Sequence, residues 1–129
     1  MANVKQLMSA VVEPAAEVYW DAVGSIIDVN GLDEFAPDTP EEWQAVRNAA
    51  IVLAESGDLL MMENRAIDQD RWSALSEAMN ASGSLALRAA EAEDSDAVFD
   101  AGAEVYFACS ACHAAYAPEI VRPSDLRVE

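Results

Sequence analysis

Cys109-Ser110-Ala111-Cys112-His113 gathers two thiols and an imidazole into five residues, and the chain of 129 residues holds no other cysteine or histidine. On an α-helix the two sulfurs fall one turn apart on one face, with the imidazole projecting beside them. That is the spacing at which haem is attached covalently, each thiol forming a thioether to a vinyl group and the histidine taking an axial position on iron. Rival chemistries fit less well. A thioredoxin-type redox pair opens a helix after a strand, and no strand-like alternation precedes Cys109. A structural zinc site uses four ligands, which two cysteines and one histidine do not supply unless a carboxylate or a second chain joins. A disulfide between residues three apart on a helix closes too small a loop to constrain the chain. One haem c bound through Cys109 and Cys112, with His113 on its iron, is the expected cofactor.

Amphipathic segments must position this motif. Val4, Leu7, Met8, Val11, Ala15, Val18, Tyr19, Ala22, Ile26 and Val29 recur at three- and four-residue steps, which predicts a first helix over about 3–29 ending at Asn30-Gly31. Pro14 lies inside it and should kink the helix without ending it, because the stripe continues in phase. A loop from Leu32 to Asp38 leads to Thr39-Pro40-Glu41-Glu42, a capping box that starts a second helix over 40–62. Gly57 sits on the apolar stripe of that helix and reads as a point of close helix approach. The third helix, 69–91, carries Trp72, Leu75, Met79, Ser82, Ala86 and Ala89. Asp94 or Ser95 caps the fourth, 95–117, whose row Val98, Gly102, Val105, Cys109, Cys112, Tyr116 has Phe99, Tyr106 and His113 beside it. Residues 118–129 read as a loosely attached tail. The hydrophobic content of 53% with few glycines and prolines agrees: one all-α domain over 1–129, an antiparallel up-down-up-down four-helix bundle with covalent haem between helices.

The balance of 24 acidic against 7 basic residues gives a formal net charge of −17. Such a field excludes nucleic acid and anionic lipid as partners and favours proteins with basic docking surfaces, although the same excess also serves plain solubility. No apolar run reaches the ~18 residues of a membrane span. Residues 1–12 lack the layout of a signal peptide, yet thioether attachment takes place on the periplasmic side of a membrane; the expectation is the mature part of an exported, periplasmic protein.

With the motif on the last helix of a bundle, the chain resembles the class II cytochromes c, the cytochrome c-prime family. The resemblance is carried by Cys109 to His113 with an aromatic, Tyr116, three residues later; by Ala89-Ala90-Glu91-Ala92-Glu93-Asp94-Ser95-Asp96 before the last helix; and by Lys5-Gln6-Leu7-Met8 with Pro14 six residues on. It is close over the final third, and the middle of the chain fits by helix length and pattern. It implies His113 as proximal ligand and a side chain of the first helix over the opposite haem face. Family members with an apolar side chain there are five-coordinate and bind NO and CO; those with methionine are six-coordinate, low-spin electron carriers. Met8 stands at the position that looks equivalent. The resemblance therefore implies a monohaem carrier of single electrons with His113 and Met8 as ligands and no substrate of its own. A five-coordinate gas-binding protein, or a haem-free helical interaction or thiol module, are the alternatives. One departure is visible: a basic residue commonly follows the motif aromatic in the family, and here Ala117 and Pro118 follow Tyr116.

Thioether sulfur is a soft ligand suited to ferrous haem. Met8, Met61, Met62, Met79 and Lys5 compete for the sixth position, although methionine usually fills gaps in cores, and Leu7 over the distal face would leave the iron five-coordinate. The kink at Pro14 is expected to set how the first helix leans on the haem. Arg47, Arg65, Arg71, Arg88 and Lys5 are candidates for the propionates. The resemblance also implies pairing through helices one and two, for which Trp20 and Trp43 are candidates, with core packing the other reading of both.

Overall fold

Asn3 opens the first helix. Its side chain accepts from the Gln6 amide at 2.8 Å while the Gln6 side chain accepts from the Asn3 amide at 3.0 Å, so two otherwise orphaned donors are satisfied. Helix α1 then runs as one rod in three segments: α-helical Val4–Leu7, a π-helical turn Met8–Val12 and α-helical Glu13–Asp21. The π turn is how the chain accommodates Pro14. Proline has no N–H to give and its ring collides with the carbonyl four residues back; widening the preceding turn, with the Glu13 amide donating to the Met8 carbonyl, relieves that collision and lets the helix continue.

The rod ends earlier than the apolar spacing predicts. Residues 24–35 form an antiparallel hairpin, β1 Gly24–Asp28 and β2 Gly31–Phe35, with Gly24 opposite Phe35 and Asp28 opposite Gly31. Ile26, Ile27 and Val29 are β-branched and suit a strand and its turn. Asn30-Gly31 is a hairpin signal here, not a helix stop: Gly31 adopts φ +114, which a side chain would strain, and the Asp28 carboxylate accepts the Asn30 amide at 2.8 Å. Ile26 and Val29 belong to no core, being 54% and 101% exposed.

The other elements fall close to their predicted bounds. Helix α2 spans Pro40–Met61 and opens on the Thr39–Glu42 capping box; α3 spans Arg71–Glu91; α4 spans Ser95–Tyr116, with the Asp94 side chain accepting the Ala97 amide. Among the described residues, 1–120, the chain is thus mostly helical, four helices with one small two-stranded sheet. A short 3-10 turn, Pro118–Ile120, follows α4, and the rest of the predicted tail, 121–129, lies outside the described residues.

Small residues let the helices touch. A Cβ on Gly57 would strike the Ser76 carbonyl and the Asn80 side chain, and one on Gly83 would strike the backbone of Leu53 and Ala54. Gly57 meets Ser76 and Asn80 while Leu53 and Ala54 meet Gly83, so α2 and α3 run antiparallel, and α3 with α4 likewise, Trp72 at the start of one meeting Tyr116 at the end of the other. Tyr19, Leu53, Val98 and Val105 are fully enclosed, and the Tyr19 hydroxyl donates to the Ala86 carbonyl at 3.0 Å. Trp43 is spent in this core and offers no dimer face; Trp20, partly buried, donates from Nε1 to the Gly102 carbonyl at 2.9 Å. Phe99, predicted beside the core row, is 64% exposed. No helix among the described residues is long and apolar enough to cross a membrane.

Candidate functional site

Helix α4 outruns the core. Val98, Ala101 and Val105 are buried, but one and two turns on, the same face reaches a cleft between α4 and α1, and Cys109, Cys112, His113 and Tyr116 line it. Val4, Lys5, Met8, Ser9, Val12 and Glu13 of α1 form the other wall, and Leu60, Trp72, Leu75 and Met79 supply an apolar floor. The cleft measures about 650 Å³, within the range of roughly 300–1,000 Å³ typical of cofactor and small-molecule sites.

The surroundings of the two thiols disfavour the reactive thiolate. Burial pushes the Cys109 thiol up to about 11, with the neighbouring Cys112 adding to the effect, and burial raises Cys112 as well. Both remain thiols near neutrality, and neither is disulfide-bonded. Among the described residues no group of three or more His, Cys, Asp or Glu side chains converges as a metal site, so Cys109, Cys112 and His113 do not come together as a zinc set.

Tyr116 ties the end of α4 to the start of α3. Its ring stands edge-on to Trp72, centroids 4.9 Å apart, and its hydroxyl donates to the Asp68 carboxylate. The other Asp68 oxygen accepts the backbone amides of Asp70 at 3.0 Å and Trp72 at 2.9 Å, so Asp68 caps α3 where Asp70 makes no side-chain cap. The Trp72 indole donates to the Leu60 carbonyl at 2.7 Å, fixing the floor. The Tyr116 hydroxyl, ahead of the Trp72 amide, holds the Asp68 carboxyl below its ordinary range, and Asp68 in turn raises the Tyr116 phenol. Sequence reasoning missed Asp68; the signal was its place four residues before Trp72, an acceptor in reach of the first free amides of a helix.

Of the methionines, Met8 and Met79 line the cleft, Met79 buried in its floor. Met61 and Met62 do not, and the Met62 sulfur accepts from Arg65 at 3.3 Å. Leu7 is buried in the core and does not line the cleft. Of the five basic residues considered for propionates, Lys5 lines the cleft and Arg71 lies near enough to Asp68 and Tyr116 to bias both. Arg47 pairs with Glu93 at 3.5 Å, and Arg65 donates to the Ala2 and Leu59 carbonyls. The donor set fits a haem c: two sulfurs and an imidazole on one wall, a thioether on the other, an apolar floor between.

The chain matches no protein-family model, no curated protein and no solved structure.

Proposed function

We propose that this chain is a monohaem c-type cytochrome that carries single electrons, with Cys109 and Cys112 as thioether anchors and His113 and Met8 as axial ligands. The observation that carries the reading is one cleft holding all four side chains, the first three on α4 and Met8 on the facing α1. A haem held there supplies a one-electron couple, and His/Met ligation favours the reduced state and a raised potential. The protein's own work is positional. The attachment residues prolong a buried helical row, Trp72 and Tyr116 lock the floor and the end of α4, and Leu75 and Met79 keep water from the apolar side. Lys5, which lines the cleft, is the cation assigned here to a negative propionate.

Partial burial raises both thiols above their ordinary range and disfavours the thiolate, which weighs against a thiol-exchange module. Partners follow from charge. Residues 6–46, hairpin included, carry no lysine or arginine, so a redox partner with a basic docking surface is favoured, and export to the periplasm is part of the same proposal because thioether attachment occurs there.

The test is the visible spectrum of protein matured with the haem-attachment machinery, ferric and ferrous, with and without CO, for the wild type and Met8→Ala. Expected is a low-spin ferric spectrum with a weak far-red sulfur-to-iron band that Met8→Ala abolishes. A high-spin ferric wild type that takes up CO readily would replace the electron carrier with a gas-binding protein, and a colourless product with two titratable thiols would remove haem from the account.

A further inference from the structure

A π turn holds one more residue than an α turn, so everything before it is rotated by about one residue step, ~100°, against everything after it. The buried row of α1 records this shift. Tyr19, Ala16, Ala15 and Val12 follow α-helical spacing, but the next buried residue back is Leu7, five before Val12. Met8, four before Val12 and therefore the α-helical member of that row, is only partly buried and lines the cleft. In an uninterrupted α-helix each residue ahead of the turn would shift by one: Met8 would take the core place of Leu7, and Ser9 would face the cleft where Met8 does now.

We propose that Pro14, through the π turn it imposes, sets the phase of α1 so that Leu7 is buried and the Met8 thioether is presented to the cleft. Pro14 is thus a positioning residue for the sixth ligand, exposed and outside the cleft lining itself. The cause is local. The missing N–H and the ring of Pro14 disfavour an α turn ending at that position, and the wider turn stores the extra residue between Leu7 and Val12. The spectral part of this inference rests on the haem reading above; the exchange of Leu7 for Met8 does not.

Two variants separate phase from mere packing. Pro14→Ala restores a donor to the Ala10 carbonyl and allows an unbroken α-helix. Pro14→Ala combined with deletion of Ala10, an exposed residue that does not line the cleft, removes the surplus residue and brings Leu7 four before Val12 with an α-helical path throughout. Side-chain NMR contacts are read for the Leu7 and Met8 methyl groups, with the far-red band of the matured protein read alongside. Expected for Pro14→Ala is Met8 in contact with the core, Leu7 released from it, and loss of the sulfur-to-iron band with a shift to high spin. Expected for the double variant is a return of both readouts to wild type. Unchanged methyl contacts in Pro14→Ala, or exchanged contacts with the band retained, would overturn the proposal. Should no variant carry haem, the electron-carrier reading fails while the methyl contacts still decide the phase.

Discussion

The Tyr116 hydroxyl donates to the Asp68 carboxylate across 48 residues of chain, and the same carboxylate caps the helix whose first aromatic, Trp72, packs against the Tyr116 ring. One side chain therefore fastens the helix that bears His113 to the floor of the cleft. Because the folded state holds the Asp68 carboxyl low, its contribution is present above the ordinary carboxylate pKa and is lost as pH falls through the folded value. Asp68→Asn should lower the melting temperature at pH 7 and flatten its acid dependence, the two proteins converging only below the ordinary carboxylate range; parallel melting curves from neutral to acid pH would remove Asp68 from the acid response.

Gly83 and Gly57 mark where α2 and α3 meet backbone to backbone. Gly83→Ala inserts a methyl group against Leu53 and Ala54 main chain that cannot rotate away. It should cost about 1–3 kcal/mol in urea unfolding, the usual range for overpacking, despite the better helix propensity of alanine. A neutral or stabilising result would mean the two helices can move apart freely.

In haem-free protein the thiols should react slowly. With Cys109 raised to about 11 from an ordinary 9.0, its thiolate fraction near pH 8 falls roughly a hundredfold. Alkylation should speed up about tenfold per pH unit up to that value and be released by urea at constant pH. Burial of the neutral thiol stabilises the fold below pH 9 and is lost as pH rises through the folded value.

Lys5, an exposed residue of α1, is among those that line the cleft. With haem in the cleft as proposed, Lys5→Gln would remove a cation beside it and should move the midpoint potential downward, the more so at low ionic strength. A midpoint unchanged in dilute buffer would show that Lys5 is solvated away from the cofactor.

Helix starts were legible where short-range chemistry decides them. Thr39-Pro40-Glu41-Glu42 forms the cap its sequence implies, and Gly57 lies at the close approach its place on the stripe suggests. The hairpin was not, because Ile26 and Val29 fit a helical period as well as a strand and a glycine at positive φ serves a helix end as well as a hairpin; only the pairing of Gly24–Asp28 with Gly31–Phe35 settles which pattern the backbone takes. Cys109, Cys112 and His113 were legible as a motif, for which haem attachment is the proposal, and their shared cleft follows from helix packing. Two features lay beyond the reach of spacing: the Asp68–Tyr116 contact, which joins segments far apart in the chain, and the phase of α1, where a periodic stripe cannot show a turn that holds one residue too many.

The cleft is walled by the first helix and the last, with α2 and α3 intervening in sequence. It exists only after segments far apart in the chain have come together, closing a long loop at an entropic cost that rises slowly with its length. A group anchored to α4 and coordinated from α1 would act as a crosslink across that loop. Its loss should release the chain ends first, leaving the α2–α3 pair, with its glycine contacts, as the last structure to melt.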